Sequence, residues 1–130
     1  MHKSRVLKTA LALAIAIGLF GAGLLIGKNT FHQPSSIIHV VTVKWKADAT
    51  AEQQEAAIDG VKTMAAEIPG IKNIWIKSTR VQPQDFNAAF AIEFENKAAA
   101  DAYADHAAHK AWAKIYQPVH EESRSLQITN

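Results

Sequence analysis

The sequence predicts an α+β domain with the element order β-α-β-β-α-β, preceded by one N-terminal transmembrane helix. Two observations carry this prediction. An uncharged apolar run lies near the N-terminus, and residues 37–130 alternate β-branched, strand-like runs with helical patterns and turn residues. The chain has 130 residues, so one domain is all that fits beside such a helix.

The apolar run covers residues 9–27 (TALALAIAIGLFGAGLLIG) and carries no charge. Its length is close to the roughly 20 residues that cross a bilayer as a helix. Lys3, Arg5 and Lys8 precede it, which predicts a single-pass anchor with the domain on the extracytoplasmic side, periplasmic or extracellular. A signal peptide cleaved near residues 21–23, giving a secreted protein, stays open as the alternative, although the apolar run continues beyond that point.

These patterns divide the chain into an anchor at residues 1–27, a polar tether at residues 28–36 and a domain at residues 37–130. The first thirty residues hold four Lys/Arg and no acid; the remaining hundred hold ten Lys/Arg against twelve Asp/Glu, a net charge of −2. Without a basic patch, we expect no nucleic-acid partner. The absence of cysteine excludes disulfides, thiolate nucleophiles and Cys-ligated zinc. With no phosphate loop, dinucleotide fingerprint or nucleophile elbow, we expect no cofactor.

The domain begins with a predicted strand over residues 37–45 (IIHVVTVKW), which is rich in β-branched and aromatic residues. A helix follows, opened by Thr50 with Gln53 three residues later in a capping-box pattern, and stopped at residues 69–70 (PG). The buried stripe of this helix is predicted to comprise Ala57, Val61, Met64, Ala65 and Ile68.

Two further strands are predicted at residues 71–77 and 88–94, separated by a loop at residues 78–87. Asn96 is a plausible N-cap for a helical stretch that runs to about Tyr116.

Residues 120–129 form a fourth, weaker strand in this prediction. The resulting order is that of the ferredoxin-like fold, in which helices cover one face of the sheet. The other face must bury against something, so we expect a homodimer.

Several motifs together resemble the stress-responsive A/B barrel (Dabb) family over residues 37–129. They are HVVTVKWK from His39, IPG at residues 68–70, DFN at residues 85–87, a strand ending Phe94-Glu95, and Tyr103-x-x-His106-x-x-His109. The resemblance implies a dimeric α+β barrel. Some members are stress-induced, and some are cofactor-free polyketide cyclases that use a tyrosine and the second helix histidine as acid and base.

The resemblance carries a candidate catalytic set onto Tyr103 and His109, with His39 lining the same pocket. The chain departs from the family pattern in two ways: Ala107 stands where a proline is frequent, and the usual glycine ending strand two is absent. On one continuous helix, residues six apart differ by about 120° around the axis. Tyr103 and His109 are therefore expected to converge only if the helix breaks near His106.

Each candidate also has a purely structural interpretation. His39 fits a hydrogen-bonded core histidine, and Tyr103 and His109 fit the packed side and rim of an amphipathic helix. His106 and His109 share a face of an intact helix, so a metal site with Asp105 is conceivable, but further ligands are not evident. The three tryptophans are expected in the core or at a dimer interface: Trp45, Trp75 and Trp112.

Three functions stay open at this stage. The first is a non-enzymatic, membrane-tethered barrel that binds a small apolar ligand or acts under stress. The second is a cofactor-free cyclase or lyase using His109 as base and Tyr103 as oxyanion donor, and the third is a monooxygenase-like enzyme of the same fold. The extracytoplasmic address favours the first. A polar-lined cavity with converging histidine and tyrosine side chains would favour the others.

Overall fold

A four-stranded antiparallel sheet with helices on one face forms the domain of this chain. The computed structural model describes residues 3, 8, 9, 11, 14, 15 and 31–130. One compact unit comprises Gln33–Asn130 and a separate one Met1–His32. The predicted anchor falls largely on residues outside the described set, as do residues 28–30 of the tether. Among the described residues, no helix has the length and apolar character needed to cross a membrane.

The strands are β1 (Ile37–Trp45), β2 (Ile71–Trp75), β3 (Ala88–Phe94) and β4 (His120–Ile128). Their order in the sheet is β2-β3-β1-β4, which confirms the predicted ferredoxin-like arrangement. The bounds of β1 and β3 agree with the prediction, whereas β2 stops two residues earlier than the expected Lys77. β1 therefore lies at the centre, paired with β3 on one side and β4 on the other.

The first helix, α1 (Ala51–Glu67), begins with the predicted capping box. The Thr50 hydroxyl accepts the Gln53 amide at 3.2 Å, and the Gln53 side chain accepts the Thr50 amide at 2.9 Å. Two otherwise unpaired donors of the first turn are satisfied in this way. The helix ends before Gly70, whose φ of +83° is a conformation that favours glycine.

The second helical stretch, predicted from Asn96 to about Tyr116, is interrupted near His106. It consists of α2 (Lys97–Ala102), a 3-10 turn (Tyr103–Asp105) and α3 (Ala107–Tyr116). The break lies at His106, whose φ of −66° and ψ of 144° are extended. His106 is also the N-cap of α3, because its Nδ1 accepts the amide of Ala108 at 3.1 Å. A histidine cap thus ends one helical segment and begins the next without the proline that is frequent in the family.

Alternation along β1 separates the two faces of the sheet. Less buried side chains of β1 lie on the opposite, open face of the sheet. The buried side chains that face the helices are Ile37, His39, Val41, Val43 and Trp45. Trp45 and Trp112 lie in the core, as predicted. Trp75 is 49% exposed on the open face, where Leu126 and Ile128 are also about half exposed.

Candidate active site

The break at His106 brings Tyr103 and His109 together. Their ring centroids are 4.9 Å apart with the rings at 80°. On a continuous helix these two side chains would point in different directions. The chain changes direction between the 3-10 turn and α3, so the two side chains can converge. The helix break near His106 that the sequence analysis required is therefore present.

Tyr103 also reaches the central strand of the sheet. Its hydroxyl and Nε2 of His39 are 3.1 Å apart, within hydrogen-bond distance. His39 is 9% exposed, and its other ring nitrogen, Nδ1, is buried with no hydrogen-bond partner among the described residues. An unpaired buried polar atom is uncommon in a folded protein and marks a place where a ligand or a water can bind.

A cavity of about 210 Å³ opens beside this pair. It lies between β1, β3 and β4 on the sheet side and the second helical stretch on the other. His39 and Tyr103 line it, together with apolar side chains such as Phe90 and Trp112. Ser123 and Ser125 of the edge strand β4 also line it and are exposed, so the mouth of the cavity lies along β4.

His109 occupies a different position from the other two predicted residues. It contacts Tyr103 and Trp112, but it is not among the residues that line the cavity. The structure thus brings all three predicted residues together, with Tyr103 in the middle, and exposes two of them to the cavity.

Burial sets the protonation states of this group. It lowers the pKa of His39, and the nearby His109 lowers it further. Burial also lowers the pKa of His109. A hydrogen bond to the Ala104 carbonyl favours the charged ring and partly opposes this shift. Burial raises the pKa of the Tyr103 hydroxyl. Near neutral pH both histidines are therefore uncharged and Tyr103 keeps its proton, which are the states needed in a base and an acid.

Sequence reasoning missed Tyr116, which lines the same cavity. Its hydroxyl is buried and has no hydrogen-bond partner of normal geometry among the described residues. Burial raises its pKa, and the neighbouring Ser123 opposes that shift. The available signal was spacing: Tyr116 lies four residues after Trp112 on α3, and the two rings stack at 4.6 Å.

The conceivable metal site is not assembled in this geometry. His106 directs Nδ1 to the amide of Ala108 as a helix cap. Within the part of the chain that the structure describes, no group of three or more His, Asp or Glu side chains is arranged to hold a metal ion.

The family model for the stress responsive A/B barrel domain matches residues 37–129. The chain belongs to the stress-responsive A/B barrel family. The matched residues span all four strands and the broken helical stretch, so the resemblance inferred from the motifs is confirmed. No curated protein matches the chain in sequence.

Solved structures share this fold at low sequence identity. A dimeric ferredoxin-like protein of unknown function from Thermobifida fusca is 23% identical, with a TM-score of 0.64 over 79% of this chain and 98% of its own. A hydroxynitrile lyase from Passiflora edulis is 20% identical, with a TM-score of 0.63 over 73% and 93%. A mutant of SnoaB, a cofactor-independent oxygenase from Streptomyces nogalater, is 12% identical, with a TM-score of 0.58 over 74% and 93%. At these identities the likeness extends to the fold alone.

Proposed function

We propose that this A/B barrel is an enzyme that moves protons on a small molecule with its own side chains. The observation that carries the proposal is the 3.1 Å contact between the Tyr103 hydroxyl and His39 Nε2 on the wall of a cavity. An acid and a base in contact, both facing a space that a ligand can enter, meet the geometric requirement for acid–base catalysis. A cyclase, a lyase and a monooxygenase-like reaction all contain such a step.

The pair supports a proton relay that leaves no net charge in the cavity. With the imidazole proton on Nε2, His39 Nδ1 takes a proton from a carbon next to a substrate carbonyl. The electrons of that C–H bond form a carbon–carbon double bond, and the carbonyl oxygen takes the proton of Tyr103. His39 Nε2 returns a proton to the Tyr103 oxygen. The products are an enol and the other tautomer of His39.

A neutral relay suits these surroundings, because no Lys, Arg, Asp or Glu is among the residues that line the cavity in the described chain. An isolated charge formed in such a site is expensive in free energy. The family motif instead gives the role of base to His109, which touches Tyr103 from outside the cavity lining. We therefore infer that His39 accepts the proton and that His109 holds the Tyr103 ring in position.

Deuterium exchange tests the reaction without knowledge of the natural substrate. The full chain is incubated in D₂O with 4-hydroxyacetophenone, and loss of the methyl proton signal is followed by NMR. We expect the wild type to accelerate exchange, and His39→Gln and Tyr103→Phe each to slow it by about 100-fold or more, as for removal of a general acid or base. His109→Gln should keep most of the rate, and His32→Gln, at an exposed histidine, is the matched control.

The results discriminate between the assignments. If His109→Gln abolishes exchange and His39→Gln does not, His109 is the base, as the motif suggests. No exchange above buffer in the wild type, together with measurable binding of the ketone, would favour the second candidate, a small-ligand-binding barrel. The specific observation behind that candidate is the apolar lining that Val41, Phe90 and Ile92 give the cavity.

We further propose that the open face of the sheet pairs with a second copy of the chain. Trp75, Leu126 and Ile128 leave this face apolar and about half exposed, a condition that is unfavourable in water. The similar Thermobifida fusca protein is described as dimeric. Light scattering on Leu126→Lys should give a monomer, whereas Ile115→Lys, equally exposed but on helix α3, should stay dimeric. Dimeric Leu126→Lys would exclude this face as the interface.

Membrane localisation is a proposal that rests on the sequence alone. We propose that residues 9–27 anchor the protein, with the domain on the extracytoplasmic side, because the run is uncharged and basic residues precede it. Membrane fractions washed with carbonate should retain the full-length chain, and protease added to the outside should digest the domain. A soluble product shortened near residues 21–23 would instead show a cleaved signal peptide.

A further inference from the structure

Along the second half of β4, the side of the strand that faces the helices is polar. Ser125 and Gln127 pair with helix-facing residues of β1, and residues paired across strands share a face of the sheet. Both are exposed, whereas Leu126 and Ile128 occupy the opposite, open face. A strand beneath a layer of helices normally shows the reverse, with apolar side chains toward the helices. This side of β4 is therefore suited to contact with water or with a polar ligand.

Two serines from this side of β4, Ser123 and Ser125, line the candidate active-site cavity. Several other lining residues have aliphatic or phenyl side chains, which form no conventional hydrogen bonds. The indole N–H of Trp112, also in the lining, donates to the Ala57 carbonyl at 2.8 Å. Within the described chain, side-chain hydrogen bonds to a ligand in this cavity can therefore come only from its histidine, its tyrosines and its serines.

All but one of these polar groups already have a role. The Tyr103 hydroxyl and His39 Nε2 lie 3.1 Å apart and form the proposed relay. The Tyr116 hydroxyl is buried and interacts with the hydroxyl of Ser123. The remaining group is the hydroxyl of Ser125, which lies at the mouth of the cavity and has no hydrogen-bond partner among the described residues. In the described lining, Ser125 is therefore the side chain left to bind a polar group of a ligand.

Ser125 lies diagonally across from His39 on the same face of the sheet. It pairs with Val41, which is two residues from His39 along β1. Diagonal neighbours of this kind are about 7–8 Å apart, which long side chains can span. A ligand whose carbonyl contacts Tyr103 can therefore reach Ser125 with a group carried on a short carbon chain. Because Ser125 lies at the mouth, that group also stays in contact with water.

The chemistry of serine indicates which group fits at this position. A serine hydroxyl is neutral, donates one hydrogen bond and accepts others, so its best complement is a neutral group that also does both, such as an alcohol hydroxyl. A methyl group in the same place would displace water from Ser125 and return no hydrogen bond, which is unfavourable for a polar group. The site should therefore prefer a hydroxyl to a methyl group beside Ser125.

We propose that Ser125 is a specificity-determining residue that selects hydroxyketones. The carbonyl of such a substrate contacts Tyr103, and its hydroxyl exchanges hydrogen bonds with Ser125 at the mouth of the cavity. The placement of the carbonyl rests on the proposed function. The choice of Ser125 rests on the lining of the cavity, in which the other polar side chains of the described chain are engaged.

Two ketones that differ in a single group test this proposal. They are 4-hydroxybutan-2-one and pentan-2-one, in which a methyl group replaces the hydroxyl. The full chain is incubated with each ketone in D₂O over a range of concentrations, and NMR follows deuterium exchange of the methyl protons next to the carbonyl, so that kcat and KM are obtained. Ser125→Ala should lower the ratio of kcat/KM for the hydroxyketone over pentan-2-one about fivefold relative to the wild type, mainly through KM, as for loss of one neutral hydrogen bond.

Two further variants show whether the Ser125 hydroxyl itself is responsible. Ser125→Thr keeps a hydroxyl at this position and should keep most of the wild-type ratio. Ser35→Ala removes an exposed serine that does not line the cavity and is the matched control. A wild-type ratio in Ser125→Ala would overturn the proposal. It would also be overturned if Ser125→Thr or Ser35→Ala lowered the ratio as much as Ser125→Ala does.

Binding measurements separate this inference from the proposed function. Saturation-transfer NMR gives the dissociation constants of the same two ketones without any reaction. If neither ketone exchanges above buffer but Ser125→Ala lowers the binding preference for the hydroxyketone, the catalytic proposal fails and the role of Ser125 stands. If both ketones exchange with the same ratio in wild type and Ser125→Ala, the catalytic proposal stands and the role of Ser125 fails. Absence of both exchange and binding would overturn both.

Discussion

Replacement of His106 by alanine should destabilise the domain through a single hydrogen bond. In the structure His106 Nδ1 accepts the Ala108 amide at 3.1 Å and caps α3. Alanine leaves that amide without its side-chain partner. Substitution of a good N-cap by alanine costs about 1 kcal/mol, within a range of roughly 0.5–2 kcal/mol. For a domain of 60–100 residues, 1 kcal/mol corresponds to a fall of about 4–8 °C in Tm.

The assay is urea unfolding of wild type, His106→Ala and His106→Asn, followed by tryptophan fluorescence. Asparagine is among the best N-cap residues, so His106→Asn should restore most of the lost free energy of unfolding. The slope of the transition should be the same for all three proteins, since the surface exposed on unfolding is unchanged. His32→Ala removes an exposed histidine and serves as the control for the loss of an imidazole.

The same comparison tests whether the break positions the site. Because the turn at His106 sets the approach of Tyr103 to His109, loss of the cap should disturb the NMR signals of the His109 ring, and the asparagine variant should recover them. If His106→Ala unfolds at the wild-type urea concentration, the cap does not hold the break. If alanine and asparagine are equally destabilising, the imidazole contributes through packing and the hydrogen-bond account is wrong.

Two other predictions concern stability. Gly60→Ala should destabilise the domain by about 1–3 kcal/mol in urea unfolding, although alanine favours helix, because the new Cβ would lie 2.8 Å from Cδ1 of the fixed Trp112 ring. Ala56→Gly, at an exposed site of the same helix, measures the cost in helix propensity alone. A Gly60→Ala variant more stable than the wild type would contradict the close approach. In a pH series, the free energy of unfolding should fall as the pH drops below about 6.5, because the pKa of His39 is lowered in the folded state and the unfolded chain binds the proton first. The free energy of unfolding should also fall above about pH 10, because the pKa of Tyr103 is raised in the folded state and the unfolded chain loses its proton first. His39→Gln should reduce the fall on the acid side, to which His109 also contributes, and Tyr103→Phe should reduce the fall on the alkaline side, to which Tyr116 also contributes.

Most of the fold could be predicted because each element carries a local signal. The alternation of residues 37–45 and 88–94 gave both central strands with the observed bounds. The capping box at Thr50 marked the start of α1. The end of β2 was set too late because Ile76 continues the apolar pattern, while pairing with β3 stops at Trp75. Pattern alone does not reveal where a neighbouring strand runs out.

The site could be predicted only in part, for a different reason. His39, Tyr103 and His109 came from the family motif, and the structure places them in contact. The break near His106 could be stated from the sequence only as a condition, because histidine is not among the usual capping residues and its Nδ1 contact depends on side-chain geometry. Tyr116 was missed because its spacing from Trp112 indicates only a shared helix face, whereas the cavity beside that face is formed by distant elements.

Strand β4 belongs to two surfaces at once. Ser123 and Ser125 face the cavity, and the alternating residues Arg124 and Leu126 lie on the opposite side, where the open face is expected to meet its partner. A ligand that contacts Ser123 and Ser125 would lie one strand thickness from the proposed dimer interface. If the ligand changes the affinity of the two copies for each other through this strand, thermodynamic linkage requires that dimerisation change the affinity for the ligand by the same factor.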